Sequence, residues 1–104
     1  MFKAETDESG ASFSVRLSGE FDLSAYDEVD QLLSAAQSNT RRDVVVDMRG
    51  LTFIDSSGIR ALIRAHIRAE EAGRHLRLRA GPPNVQRVFE VAGLDKRLDF
   101  DKTA

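Results

Sequence analysis

Apolar and polar positions alternate over Phe13-Ser14-Val15-Arg16-Leu17-Ser18, the period of a strand with one buried face. The first few residues predict a partner strand, set off by a turn at Glu8-Ser9-Gly10. The period then changes. Ala25, Val29, Leu32, Leu33 and Ala36 recur at helical spacing behind Ser24-Ala25-Tyr26-Asp27, a capping box with Asp27 where Glu is commoner. This predicts a first helix of about ten to fifteen residues. Val44-Val45-Val46, extended by Met48, is a continuous β-branched run, the pattern of a central strand covered on both faces. Ile59, Leu62, Ile63 and Ile67 trace a second amphipathic helix that ends with Gly73 in the C′ position. Leu76, Leu78 and Ala80 alternate with arginines in a further strand. Gly81-Pro82-Pro83-Asn84 then breaks the chain before a short helix carrying Val85, Val88, Phe89 and Ala92. Gly93 with Leu94 reads as that helix's stop and its apolar contact, and Leu98 with Phe100 as a last strand. Strands alternating with helices predict an α/β sheet with parallel pairs and right-handed crossovers.

At 104 residues the chain is long enough for one domain with one core. No repeat, low-complexity tract or linker divides it. Hydrophobic residues make up 41% and charged residues 31%, a globular balance. A net charge of −2 argues against a nucleic-acid partner, because phosphate binding calls for a basic excess. The absence of cysteine removes disulfides, thiolate metal sites and cysteine nucleophiles. The first eight residues show no apolar signal core, and no run approaches the ~20 residues that cross a bilayer. A cytoplasmic domain without direct nucleic-acid or membrane partners is expected.

Two loops carry the candidate chemistry. Gly19-Glu20-Phe21-Asp22 and Asp55-Ser56-Ser57-Gly58 each follow a predicted strand and precede a predicted helix. In an open α/β sheet such loops gather at the carboxyl edge, so Asp22, Asp55 and Ser56 are expected to be neighbours. Ser56 and Ser57 stand where the apolar Phe53-Ile54 gives way to a helix. Hydroxyls there either cap free backbone donors or receive a phosphate beside the helix N-terminus. The plainer reading makes Asp22 and Ser56 helix starters and nothing more. Arg60, Arg64 and Arg68 stack on one helix face, either to meet acids on a partner or as a solvated row pairing with Glu71. Asp47 interrupts an apolar strand and is expected near its end with a hydrated head. An alternative gathers Asp22, Asp47 and Asp55 into a Mg²⁺ pocket. His66, expected to be partly buried, and His75, at a strand start, belong to no motif. The chain lacks a phosphate-binding Gly-x-x-x-x-Gly-Lys loop and a Gly-x-Ser-x-Gly elbow. A small hydrolase using Ser56 with the two aspartates is the competing enzymatic reading, and it lacks a base.

Leu17-Ser18-Gly19-Glu20-Phe21-Asp22, Val44-Val45-Val46-Asp47-Met48, Phe53-Ile54-Asp55-Ser56-Ser57-Gly58 and the segment from Pro82 to Leu94 follow in order. Together, from about residue 10 to 100, they resemble the STAS domain of bacterial anti-sigma factor antagonists. That resemblance implies a mixed sheet of four or five strands with three to four helices packed against it. It implies that Ser56 is a phosphate acceptor in a pocket shaped by Asp22, Asp55, Ser57 and Gly58. The expected partner surface comprises Glu20, Asp22, Ser56, Ser57 and Ile59, extended along the helix face by Arg60 and Arg64. The partner would be an anti-sigma factor with serine kinase activity, which binds the unphosphorylated protein and releases its sigma factor. A serine phosphatase would reverse the modification, and no cofactor, metal or catalytic residue is implied. A second role within the same resemblance is a scaffold subunit of a transport or stress-signalling complex, without phosphorylation.

Overall fold

The hairpin and three crossovers of this chain lie side by side in chain order. The computed structural model describes residues 1–101. Strand β1 (Lys3–Asp7) runs antiparallel to β2 (Phe13–Phe21). Strands β3 (Val44–Ile54), β4 (Leu76–Arg79) and β5 (Asp99–Asp101) then add in parallel, giving the order β1-β2-β3-β4-β5. Helices α1 (Tyr26–Asn39), α2 (Ser56–Glu71) and α3 (Pro83–Val91) fill the crossovers, with a 3₁₀ turn at Leu23–Ala25 leading into α1. The mixed five-stranded sheet with helices is the expected architecture, and the initial strand and the short final one are both present.

One consequence of strand order escapes the sequence pattern. Every crossover steps one strand in the same direction, so right-handed connections place all three helices on one face. Their buried residues join Val15, Leu17, Phe21, Val46, Met48 and Leu78 in a single core. The opposite face is bare and polar: Ser14, Arg16, Val45, Asp47, Arg77 and Arg79 line an open depression across it. The β-branched run is therefore covered on one side only, with Val44 and Val46 buried and Val45 half-buried.

Asp47 also departs from expectation. It sits within β3, between Arg16 of β2 and Arg79 of β4, and is only 6% exposed. Its hydration is replaced by Arg49, whose Nε donates to Oδ1 at 3.0 Å and whose second guanidinium nitrogen donates to Oδ2 at 2.8 Å. The Arg49 backbone N–H adds a bond of 3.0 Å to Oδ1. Such a fork supplies the partners that a buried carboxylate requires. Burial disfavours the charged form, but the Arg49 bonds outweigh it and Arg79 assists, holding the carboxyl below its usual range.

The helix starts and the arginine row need two further corrections. Ser24 does not cap α1; its hydroxyl donates to Asp22, and Ala25 at the N-cap of α1 offers no side-chain bond. Arg64 and Arg68 turn to Asp30 of α1, at 3.7 and 3.0 Å, rather than to Glu71. Arg68 Nε also donates to Gln37 Oε1 at 3.0 Å, while Gln37 Nε2 donates to the Ala65 carbonyl at 2.7 Å. Two of the three arginines of the expected surface row thus form a polar clamp between α1 and α2. The predicted stops hold: Gly73 and Gly93 follow their helices with φ of 67° and 75°, and Leu94 N–H bonds back to the Phe89 carbonyl at 2.9 Å. His66 is partly buried as expected, 3.4 Å from Glu70.

Because the folded-state pKa of Asp47 is depressed, its contribution is present above the ordinary value of 3.8 and fades as pH falls through the depressed one. Arg49→Ala should lower the chemical-denaturation midpoint at about pH 6, and lower it less as the pH falls well below 3.8, where protonation of Asp47 weakens the pair. Equal losses across that range would show that Arg49 acts through packing alone.

Candidate functional site

Strands β2 and β3 end level with each other, Phe21 opposite Ile54, and the Asp55 N–H donates to the Phe21 carbonyl at 3.3 Å. Asp22 and Asp55 therefore leave adjacent parallel strands side by side, as the two-loop reading expects. Their backbones match, with φ, ψ of −118°, −169° at Asp22 and −118°, −171° at Asp55. Each carboxylate receives a backbone N–H two residues on, from Ser24 at 3.0 Å and from Ser57 at 2.9 Å. Asp55 Oδ1 also accepts the Gly58 N–H at 3.3 Å. The Ser24 hydroxyl, 2.5 Å from Asp22 Oδ1, and then its N–H hold the Asp22 carboxyl below the usual range.

These carboxylates relieve the serines of capping. Asp55 is the N-cap of α2 and Ser56 its first residue. Ser56 is exposed, and among the described residues its hydroxyl makes no hydrogen bond. The capping role weighed for Ser56 in the sequence thus falls to its neighbour.

Gly58 explains how α2 comes so close to the strand ends. A Cβ there would lie 2.8 Å from Ile54 Cγ1 and 3.0 Å from both Phe21 Cγ and the Phe21 carbonyl oxygen. Phe2 packs against Phe21, ring centroids 5.4 Å apart. In β2, Gly19 with φ of 84° sits where the β2–β3 register shifts, and a Cβ there would meet the Met1 carbonyl oxygen at 2.0 Å. The bulge sets the direction in which Glu20-Phe21-Asp22 leaves the sheet.

Beside Ser56 runs an open, mainly apolar groove between α2 and α3. Ser56 and Ile59 form one wall, and Asn84, Arg87, Val88, Val91 and Ala92 form the other. Val91 is 79% exposed. Asn84 ties the start of α3 to β3 through Nδ2, which donates to the Thr52 carbonyl at 2.9 Å. Leu23 and Phe53, also exposed, lie next to Asp22 and opposite Glu20 at the same edge. The α3 wall is absent from the sequence-derived site. Its one signal is Val91, an apolar residue off the Val85-Val88-Phe89-Ala92 stripe.

Of the expected site residues, Glu20, Asp22, Asp55, Ser56, Ser57, Gly58 and Ile59 belong to this edge. Arg60 is exposed one turn along α2 and makes no ion pair among the described residues, whereas Arg64 leans towards α1. Asp47 lies on the bare sheet face, so the Asp22-Asp47-Asp55 trio is not assembled. Among the described residues, no group of three or more His, Cys, Asp or Glu is arranged to hold a metal.

A family model described as "Mlab, STAS domain" matches residues 4–100. An anti-sigma F factor antagonist of Lysinibacillus sphaericus is 35% identical over 83 residues, covering 77% of this chain and 69% of the relative. The chain is a STAS domain of the anti-sigma factor antagonist family. Solved structures agree on the fold of this STAS domain. An anti-sigma factor antagonist from Mycobacterium paratuberculosis superposes with a TM-score of 0.87 at 20% identity, covering 99% of this chain and 87% of its own. The antagonist SpoIIAA in its unphosphorylated form gives 0.80 at 22% identity, with 96% and 89% covered. SpoIIAA in its phosphorylated form gives 0.70 at 23% identity, with 98% and 92% covered. No helix among the described residues of the STAS domain is long and apolar enough to cross a membrane.

Two substitutions separate capping from exposure. Asp55→Ala should lower the unfolding free energy by about 1 kcal/mol, while Ser56→Ala should change it by no more than about 0.5 kcal/mol. Gly58→Ala should cost about 1–2 kcal/mol, since crowding against Phe21 and Ile54 exceeds the gain in helix propensity. Urea melts of the three variants check the ranking.

Proposed function

We propose that this domain switches partners through Ser56. Unmodified, it docks an anti-sigma factor that is also a serine kinase, and so frees a sigma factor. Phosphorylated on Ser56, it is refused. The observation carrying this reading is the free, exposed hydroxyl of Ser56, released from capping by Asp55 and set at the rim of an apolar groove. The family membership and the phosphorylated form of SpoIIAA among its structural relatives support it.

The chemistry belongs to the partner. Ser56 Oγ attacks the γ-phosphorus of the kinase's nucleoside triphosphate, and the bond to the β–γ bridging oxygen breaks. The nucleoside diphosphate leaves, and the hydroxyl proton passes to a base on the kinase. A phosphatase restores the hydroxyl by directing water at the phosphorus, releasing inorganic phosphate. This chain supplies an acceptor and a surface, and we assign it no catalytic role. Its partly buried histidine, His66, pairs with Glu70 well down α2.

Phosphoserine adds a charge of about −1.5 to −2, and the first turn of a helix tolerates it. The fold therefore persists while the docking surface changes. Beside Asp22 and Asp55 the edge becomes strongly anionic. Juxtaposing like charges across an interface costs several kcal/mol, and each ~1.4 kcal/mol lowers affinity tenfold. Exposed Leu23, Phe53 and Val91 supply the apolar area that a protein partner covers.

Incubation with the kinase-type anti-sigma factor and a nucleoside triphosphate should place phosphate on Ser56, read by mass spectrometry; phosphate confined to Ser57 would defeat the assignment. In calorimetry, Ser56→Ala should bind that partner within about threefold of the unmodified protein, and Ser56→Asp should bind at least about tenfold more weakly. Equal affinities would remove the electrostatic basis of the switch.

A further inference from the structure

Ser56 and Arg87 both line the α2–α3 groove, Ser56 from the start of α2 and Arg87 from α3. Arg87 is exposed, and it makes no ion pair or side-chain hydrogen bond among the described residues. We propose that a phosphoryl group on Ser56 is captured by Arg87 across this groove, so that phosphorylation closes the apolar channel as well as charging its rim. The inference rests on Ser56 being the phosphate acceptor and adds to it a device within this chain.

The chemistry of the pair is favourable. A guanidinium offers a planar fork of donors matched to phosphate oxygens, and a charge-assisted fork is stronger and more directional than a point contact. Ile59 and Val88 beside it reduce the water that would otherwise screen the charges. Asn84, on the same wall, is anchored to the Thr52 carbonyl, so α3 presents Arg87 from a fixed base. Arg60 is the competing cation. It lies four residues beyond Ser56 on α2 and can pair with the phosphate without bridging anything. Asp55, Asp22 and Glu20 at the same edge and Glu90 three residues beyond Arg87 oppose the phosphate's charge. The two arginines favour the dianion and these four acids the monoanion.

With the bridge formed, Ile59, Val88 and Val91 lie beneath a closed span. A partner that needs those side chains then loses apolar contact as well as meeting negative charge. Repulsion alone predicts a loss of affinity that salt relieves. Closure predicts a loss that salt relieves only in part, because screening acts less on a pair held in an apolar groove.

The test installs phosphoserine at position 56 during translation, so that no kinase is needed, and follows the ³¹P shift with pH. Free phosphoserine has a second pKa of about 6. Replacing Arg87 by Gln should raise the value found in the otherwise unchanged phosphoprotein by about half a unit or more, roughly threefold in the proton equilibrium. Arg87→Lys should keep most of the depression, and Arg60→Gln should shift the value less than Arg87→Gln does. Phosphorylated Arg87→Gln should also regain about five- to tenfold in affinity for the anti-sigma partner, relative to the same substitution in unmodified protein. An unchanged phosphate pKa in Arg87→Gln, or a larger shift in Arg60→Gln, would overturn the bridge. Arg87 is exposed, so loss of fold is not the anticipated complication, and the unmodified variants' melting curves verify this. Kinase-dependent phosphate found at Ser57 would sink the acceptor assignment and leave the measured Ser56–Arg87 coupling intact. The reverse result would keep the acceptor and discard the bridge.

Discussion

Asp55 gives its backbone N–H to the end of β2 and takes the first free N–H groups of α2 on its carboxylate. The first contact fixes the level at which β3 ends beside β2. The second fixes the axis on which α2 begins. Asp22 repeats the geometry one strand away, so the two acids stand together because their strands are in parallel register. Were Ser56 to cap the helix, its hydroxyl would be spent on the backbone. Because Asp55 caps, the hydroxyl next to it is available to another molecule.

The same register makes the site an exterior surface rather than a crevice. Small molecules in doubly wound sheets enter the crevice where strand order reverses and helices diverge to opposite faces. Here the order runs β1-β2-β3-β4-β5 without reversal, and all helices share one face. The carboxyl edge is therefore an exterior surface, edged by Leu23 and Phe53 and opening into the α2–α3 groove. The bare face carries a different burden. Asp47, buried in a strand with no helix over it, persists because Arg49 folds back onto it from two residues along the same strand.

On the proposed reading, phosphate at this place acts on two scales. Locally, a dianion in the first turn of α2 sits at the positive end of the helix dipole and, because Ser56 is exposed, outside the core. At the surface it joins Asp22 and Asp55 and meets Arg60 and Arg87, which make no ion pair among the described residues. The proposed modification thus changes what can approach the domain without asking it to refold, which is what a reversible signal requires. The Arg68 clamp to Asp30 and Gln37 keeps α1 and α2 together on the far side of α2, away from the edge that changes.

Legibility followed the range of the interactions. The period-2 run ending at Leu17, the helical stripe from Ile59, and the stops at Gly73 and Gly93 are local, each set by a few neighbouring residues, and they could be read directly. Asp22, Asp55 and Ser56 were legible as a group because strand-to-helix loops share an edge whatever the strand order. Strand order itself is non-local. It decided that Val45 and Asp47 lie on an uncovered face, where local pattern had predicted helices on both sides and a hydrated strand end. Helix-to-helix packing is equally non-local, and it sent Arg64 and Arg68 to Asp30 rather than to Glu71 on their own helix. It also set α3 beside Ser56, adding Arg87, Val88 and Val91 to a site that no spacing along the chain could join. The sequence by itself determined the elements, most of their ends and the strand-to-helix junction at Ser56, because backbone propensity and capping act over a turn or two. The tertiary structure alone decided which face stays open and what stands across from Ser56, because those depend on how separate elements share one core.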